Sequence, residues 1–167
     1  MKINISNISD GIHVFNFDEP VSEINLGESF FGNFQVKFEL SKIYNQIILC
    51  VELKLNAHFE CDRCAASYNT VIHSTYQSVY FLGGKKGVNE NSDVIYLPPN
   101  ADKIDTLNDL KDYALLSVPM KKLCKENCKG LCIKCGKDLN NGECDCETDE
   151  ADYRWFPLEE LRKKLNN

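Results

Sequence analysis

Eight of the nine cysteines in this 167-residue chain fall into closely spaced pairs that could hold metal ions. The pairs are Cys61/Cys64, Cys124/Cys128, Cys132/Cys135 and Cys144/Cys146. A tetrahedral zinc site takes thiolates at about 2.3 Å, and a short pair lets one turn of chain supply two of them. Gly136, directly after the third pair, can adopt the positive φ that lets the backbone fold around a metal. The spacing predicts two zinc sites, both structural, because four thiolates leave no position open for water.

The eight cysteines can be divided between two sites in two ways. The preferred arrangement has one local site, Cys132, Cys135, Cys144 and Cys146, and one that joins distant segments, Cys61, Cys64, Cys124 and Cys128. The alternative combines Cys61/Cys64 with Cys132/Cys135 and leaves Cys124, Cys128, Cys144 and Cys146 for the other site. Sequence spacing does not decide between them.

The remaining candidate residues predict no catalytic centre. Cys50, the ninth cysteine, lies within an apolar stretch and is interpreted as a packing residue. His58, three residues before the first cysteine pair, could be a ligand, although a polar residue on a strand face is the favoured interpretation. His13 and His73 have no recognisable catalytic neighbours, so we predict that the protein is not an enzyme. A thioredoxin-like redox site is disfavoured because the first cysteine pair falls in a predicted hairpin and not at a βα junction.

Charge is distributed unevenly around the later cysteines. The chain carries 19 Lys and Arg against 25 Asp and Glu, a net charge of −6, which argues against a uniformly basic nucleic-acid binder. Residues 121–137 nevertheless hold six lysines and one acidic residue, and residues 138–152 hold seven acidic residues and no base. Lysines on a metal-braced loop could bind the phosphate oxygens of RNA. They would also neutralise part of the negative charge of zinc sites with four thiolates. The candidate RNA-binding residues are Lys121, Lys122, Lys125, Lys129, Lys134 and Lys137.

Alternation of apolar and polar residues predicts the sheet that positions the first cysteine pair. The alternation is clearest over residues 34–40 and 49–59, and residues 67–81 are rich in β-branched and aromatic types. Shorter strands are expected at residues 2–5, 12–17 and 93–97. Short links between the long strands predict antiparallel hairpins, one of them with residues 61–66 at its tip.

The C-terminal half of the chain has a different pattern. A loop over residues 83–92 is followed by a helix from residue 105 that ends at Pro119, with Thr106 and Asp109 as a capping box. A short final helix is expected over residues 157–165, docked by Trp155 and Phe156. We therefore predict an α+β protein: an antiparallel, curved or partly closed β-sheet domain over residues 1–100, and a helix, zinc module and C-terminal helix over residues 101–167, packed on the sheet.

Composition and the cysteines together bear on location. With 43% hydrophobic and 26% charged residues, the chain is neither collagen-like nor largely disordered. No apolar run is long enough to span a bilayer, and the first residues lack a signal-peptide pattern. We expect a cytoplasmic protein, and in a reducing compartment these cysteines favour metal ligation over disulfides.

Several motifs share the pattern of one known family. They are Leu115–Met120, the cysteines from Cys124 to Cys146 with Gly130–Leu131, Gly136 and Leu139–Asn140, the Cys61–Cys64 pair, and Asp152–Trp155 followed by Pro157–Leu158. Together they resemble the YceD-like large ribosomal RNA subunit accumulation proteins, over roughly residues 58–68 and 113–161.

The resemblance implies a bacterial cytoplasmic factor that supports accumulation or maturation of the 23S ribosomal RNA and has no enzymatic activity. It implies large-subunit ribosomal RNA or pre-ribosomal particles as partners, with a ribosomal protein as a further candidate. Neither a membrane nor a small-molecule substrate is expected. The alternative is a scaffold that binds a ribosomal protein or a processing enzyme, and a thiol oxidoreductase is the third hypothesis.

Overall fold

Among the described residues up to 146, the regular elements are seven β-strands, one α-helix and a short 3-10 turn. The computed structural model describes residues 1–83 and 94–146, together with residues 157, 158, 161 and 162. In chain order the elements are β1 (Lys2–Asn4), β2 (Gly11–Pro20), a 3-10 turn (Val21–Glu23), β3 (Phe30–Ile43), β4 (Gln46–Glu60), β5 (Ser67–Leu82), β6 (Val94–Leu97), β7 (Lys103–Asp105) and α1 (Leu107–Leu116).

Some predictions fall outside the described residues. Of the loop expected at residues 83–92, only Gly83 lies within the described residues. Trp155 and Phe156, the residues expected to dock the final helix, lie outside them. Of the final helix expected at residues 157–165, four residues are described, and all four are helical.

Five strands form the main sheet, in the order β2–β3–β4–β5–β6. The first three pairs are antiparallel, as the short links predict, whereas β6 runs parallel to β5. β2 and β6 are the two edges, so the sheet is open over the part of the chain that the structure describes, and the expected partial closure is not found. Because strands dominate and α1 is the one α-helix among these elements, the α+β label holds only in part.

Alternation along the long strands separates a buried face from an exposed face. The buried residues of β3 and β4 include Phe34, Val36, Phe38, Leu40, Leu49, Val51, Leu53, Leu55, Ala57 and Phe59. These residues confirm the predicted period of two. Cys50 lies on the exposed face, opposite Glu39 and Gln77. Its predicted packing role is therefore wrong, because its phase in β4 is that of the polar residues Glu52 and Lys54, and phase decides the face.

α1 packs on β5 and completes the core beside it. The Tyr113 ring stacks on Tyr76 with centroids 4.0 Å apart and planes 3° apart. The Ser74 hydroxyl donates a hydrogen bond of 3.2 Å to the Tyr113 carbonyl. Leu110 and Ala114 of the same helix are fully buried. Leu110 and Ala114 therefore lie on the apolar face of α1 that packs on the core.

The start of α1 differs from the predicted capping box. Asp105 Oδ1 accepts the Leu107 N–H at 3.1 Å, whereas the Thr106 side chain makes no cap hydrogen bond. Thr106 is buried and its hydroxyl donates to the Met1 carbonyl at 3.3 Å, because β1 pairs with β7 in a small second sheet. The capping box of Thr106 and Asp109 is therefore wrong, and tertiary pairing is the reason.

The chain divides into two compact units, Met1–Cys124 and Lys125–Asn167. The first contains both sheets and α1, so β7 and α1 belong to the sheet unit, although the sequence placed the division at residue 100. The second contains an antiparallel bridge between Leu131 and Asp138. No helix in the described ranges is long and apolar enough to cross a membrane.

Candidate metal centres

The first cysteine pair sits in a tight turn at the tip of the β4–β5 hairpin. The Cys61 N–H donates to the Ala66 carbonyl at 2.9 Å, and the Ala65 N–H donates back to the Cys61 carbonyl at 2.9 Å. Ala65 has a φ of 55°, in the left-handed region. This turn directs the thiols of Cys61 and Cys64 to one side while it satisfies the backbone groups of the hairpin end.

The third cysteine pair forms the same turn in the second unit. The Cys132 N–H donates to the Lys137 carbonyl at 2.9 Å, and the Gly136 N–H donates to the Cys132 carbonyl at 2.9 Å. Gly136 has a φ of 72°, which confirms the positive φ predicted for it. Because the two turns have the same hydrogen bonds, both cysteine pairs present their thiols in the same way.

The eight paired cysteines gather into two groups of four. The first group is Cys61, Cys64, Cys124 and Cys128, and the second group is Cys132, Cys135, Cys144 and Cys146. Within each group all four Sγ atoms lie within 4.8 Å of one another. This is the preferred of the two predicted arrangements.

The spacing of the sulfurs suits a tetrahedral metal ion. Zinc–sulfur bonds of about 2.3 Å place the sulfurs of a regular tetrahedron about 3.8 Å apart. The Sγ atoms of Cys64 and Cys124 are 3.6 Å apart, close to that edge length. Zinc or another thiophilic ion therefore fits the donor set, and four thiolates would fill its coordination shell.

Cys124 is brought to the first group by the residues just before it. The Asp62 N–H donates to the Lys122 carbonyl at 2.8 Å, and the Lys122 N–H donates to Asp62 Oδ2 at 2.7 Å. The Lys122 ammonium lies 5.1 Å above the centre of the Phe59 ring, a cation–π distance. These contacts fix the segment before Cys124 against the hairpin tip.

Asn140 is a residue that the search for metal ligands missed. Its Nδ2 lies 3.3 Å from the Cys128 sulfur, and its Oδ1 accepts the Lys129 N–H at 2.9 Å. Reasoning from spacing covered only cysteine and histidine, so a carboxamide that contacts a ligand and does not itself ligate gave no signal. The sequence indicated Asn140 only through its place beside Leu139 in the family pattern.

Backbone hydrogen bonds favour the thiolate form of one cysteine in each group. The Cys124 backbone lowers the pKa of Cys61 to about 6, and the Cys135 backbone does the same for Cys132. The thiolate is the metal-binding form, so these backbone groups prepare each turn for a cation. In the second group, hydrogen bonding with Cys135 raises the pKa of Cys146 to about 12. Protons are thus shared among these thiols, and a bound cation would take the place of those protons.

The six candidate lysines differ in their surroundings. Lys121, Lys125 and Lys129 are exposed. Lys122 is half-buried over Phe59, and Lys137 Nζ donates to the Glu143 carbonyl at 2.6 Å. Lys134 is also exposed. A polyanion would therefore meet some of these lysines more readily than others.

The histidine considered as a ligand belongs to neither thiol group. His58 is exposed, and its Nδ1 lies 2.7 Å from Asn69 Oδ1 across the β4–β5 pair. This placement agrees with the favoured interpretation of a polar residue on a strand face.

A family-wide sequence profile matches residues 49–162, about two thirds of the chain. Its description is "Large ribosomal RNA subunit accumulation protein YceD". The match includes both thiol groups and the whole of α1.

Two curated plant proteins are similar over shorter stretches. The chloroplastic YCED homolog 1 of Arabidopsis thaliana, named a large ribosomal RNA subunit accumulation protein, is 36% identical over 73 residues, which is 44% of this chain and 23% of the relative. The protein of the same name from Zea mays is 41% identical over 51 residues, 29% of this chain and 17% of the relative. The match thus spans less than a quarter of either relative's length. No solved structure matches.

Proposed function

The chain belongs to the family of YceD large ribosomal RNA subunit accumulation proteins, and from this premise we propose that it supports accumulation or maturation of the 23S ribosomal RNA without an enzymatic step. Its partners would be that RNA or early large-subunit particles. The proposed compartment is the bacterial cytoplasm, as the family resemblance implies, and a reducing compartment favours metal ligation by these thiols over disulfides. The two plant relatives are, by their names, chloroplastic.

The observation that carries the structural part of the proposal is the pair of four-thiol groups. Each group offers four sulfurs within 4.8 Å of one another, so a zinc ion in either would have protein ligands at all four positions. Such an ion stabilises the fold and leaves no coordination site for a reacting water. We assign the eight cysteines to two structural zinc centres on this basis.

RNA contact is assigned to the lysines around these centres. Lys121, Lys125 and Lys129 are exposed, and ammonium groups on a metal-braced segment can contact phosphates without loss of much chain entropy. Each four-thiolate zinc centre would carry a formal charge of −2, so the local lysines serve partly as counter-charge. The remaining positive charge would contribute a salt-dependent affinity for RNA.

A pull-down of large-subunit ribosomal RNA tests this assignment. The purified protein should retain the RNA at low salt and release it as salt is raised. Replacing Lys121, Lys125 and Lys129 with Gln should lower recovery several-fold and flatten the salt dependence, since about one counterion is released per phosphate contact. The matched control replaces Lys54, Lys103 and Lys111, which removes the same charge elsewhere. Equal recovery from both triple variants would refute the lysine assignment.

Exposed apolar side chains favour a second candidate function, that of a protein-binding scaffold. Leu116 is 77% exposed and Met120 is 100% exposed, just before Lys121. Large apolar side chains that are exposed within a few residues of one another are candidates for an interaction site. The occupant would be a ribosomal protein or a processing enzyme. Co-purification that survives nuclease treatment, and is lost on Leu116→Ser with Met120→Ser but kept on the control Ile12→Ser, would favour this function over direct RNA binding.

A further inference from the structure

Asn140 is held in one orientation by four hydrogen bonds in the second unit. Its Oδ1 accepts the Lys129 N–H at 2.9 Å. Its Nδ2 lies 2.7 Å from Asp138 Oδ1 and 3.3 Å from the Cys128 sulfur. Its own backbone N–H donates to Asp138 Oδ1 at 2.9 Å. The side chain therefore bridges the residue after Cys128, the carboxylate of Asp138 and the thiol itself.

This pattern fixes which end of the amide faces the sulfur. A backbone N–H can only donate, so the atom that faces Lys129 N must be the amide oxygen. The NH₂ group then faces two acceptors, a carboxylate and a sulfur, and it has one hydrogen for each. The contact of 3.3 Å is short for a hydrogen bond to sulfur, and Cys128 is 3% exposed. An amide N–H directed at a buried thiolate disperses its negative charge in the absence of water.

We propose that Asn140 is a positioning residue for the first thiol group, which orients Cys128 and slows release of the metal held there. The inference rests on the proposed metal binding and extends it to a residue that is not a ligand. Partners that orient a metal ligand typically change metal affinity by about 10- to 100-fold when they are removed. The effect should be confined to the first group, because the Asn140 side chain contacts the sulfur of Cys128 and, among the described residues, no sulfur of the second group.

Asn141 provides a matched control. Its Nδ2 donates to the same carboxylate, Asp138 Oδ2, at 2.9 Å, and within the described ranges its side chain makes no hydrogen bond to a sulfur. Asn141→Ala therefore removes a carboxamide from the same turn and leaves the hydrogen bond to Cys128 in place. Asn140→Asp keeps the acceptor for Lys129 but removes the donor to the thiolate, and Asn140→Ala removes both.

The test follows release of zinc to a chromophoric chelator from the full-length, metal-loaded chain. The wild type should release two ions in two phases, and Cys135→Ser should identify the second group's phase by removing it. Asn140→Asp and Asn140→Ala should accelerate the first group's phase by about tenfold or more and leave the other phase unchanged. Asn141→Ala should match the wild type. With cobalt bound, the sulfur-to-metal charge-transfer absorption should shift in the Asn140 variants and not in Asn141→Ala.

Two results would overturn the inference in distinguishable ways. If the wild type binds two ions and the Asn140 variants release both at the wild-type rate, the role of Asn140 is refuted and the proposed metal centres stand. If the wild type binds no metal under reducing conditions, the proposed centres fail and the inference fails with them. Equal acceleration by Asn140→Ala and Asn141→Ala would also refute it, because the effect would then come from loosening of the turn.

Discussion

Ala65 and Gly136 occupy the same position in two matching turns. Each follows a Cys-x-x-Cys pair and donates its N–H at 2.9 Å to the carbonyl of the first cysteine. Ala65 has a φ of 55° and Gly136 a φ of 72°. One turn thus places an L-residue in the left-handed region, where a Cβ is disfavoured, and the other uses the residue that adopts it freely.

This relationship predicts opposite effects for two exchanges. Gly136→Ala should lower the free energy of unfolding by about 1 kcal/mol through backbone strain alone, since an added Cβ would meet no atom within 4 Å. Ala65→Gly should be neutral or stabilise by up to about 1 kcal/mol, because relief of strain is partly offset by the entropy of the unfolded chain. Urea unfolding of metal-loaded protein measures both. A stabilising Gly136→Ala would contradict the prediction.

The two thiol groups should differ in how readily they lose metal. Cys61, Cys64 and Cys128 are buried, whereas Cys135 is exposed. Elemental analysis should find two zinc ions per chain, and a chelator should remove the second group's ion first. Cys135→Ser should remove one ion and loosen the turn over residues 132–137 while it spares the unfolding transition of the sheet. Iron in place of zinc would refute the choice of metal, and failure to rebind any metal after reduction would refute the ligand assignment.

Thiol labelling separates metal ligation from redox chemistry. Cys50 is exposed on the sheet and lies outside both thiol groups. In metal-loaded protein, a maleimide should label one cysteine per chain, and Cys50→Ser should abolish that labelling. Chelation should make all nine cysteines reactive. Fast labelling of Cys61 and Cys64 before chelation, or a reversible disulfide between them, would instead support the thiol oxidoreductase hypothesis.

Buried tyrosines predict a loss of stability in alkali. The hydroxyl oxygens of Tyr76 and Tyr80 are buried, and that of Tyr76 has no hydrogen-bond partner among the described residues. Burial raises the pKa of Tyr76 and raises that of Tyr80 to about 12. The unfolded chain, with tyrosine pKa values of about 10, then loses these protons first. The contribution to stability is therefore constant below about pH 10 and falls as the pH rises from about 10 to 12.

Tyr76→Phe tests this pH dependence because it keeps the ring that stacks on Tyr113. At about pH 8 the variant should be as stable as the wild type or slightly more so, since it loses no hydrogen bond. Above about pH 10 its stability should fall less steeply. Unfolding in urea at a series of pH values measures both effects. A loss of more than about 1 kcal/mol at pH 8 would show that the hydroxyl has a hydrogen-bond partner and would contradict the argument.

Local patterns predicted the parts of the fold that depend on neighbouring residues. The long strands and the positive φ of Gly136 follow from alternation and from turn chemistry, and both are found. The same alternation would have placed Cys50 correctly, since it falls between Leu49 and Val51 in the phase of the exposed residues. Its apolar residue type was given more weight than its position, and that was the error.

Contacts between distant residues set the limit of sequence reasoning. The Thr106 side chain does not cap α1 because the neighbouring Asp105 pairs with Lys2, about a hundred residues earlier in the chain, and this pairing directs the Thr106 hydroxyl to Met1. The parallel direction of β6 likewise depends on its register with β5. Cysteine spacing favoured the thiol groups that are found but left an alternative open, and Asn140 needed the folded turn to be recognised.

The sulfurs of Cys64 and Cys124 lie 3.6 Å apart, although the two residues are 60 positions apart in the chain. A metal ion there would act as a reversible cross-link around a long loop, whereas Cys135 and Cys144 enclose only a short one. Each doubling of loop length adds about 0.6 kcal/mol to the entropic cost of closing the loop. Closing the longer loop therefore costs the unfolded chain about 1.5 to 2 kcal/mol more than closing the shorter one. Zinc availability would then govern how far the denatured chain expands, and with it the rate at which the protein refolds.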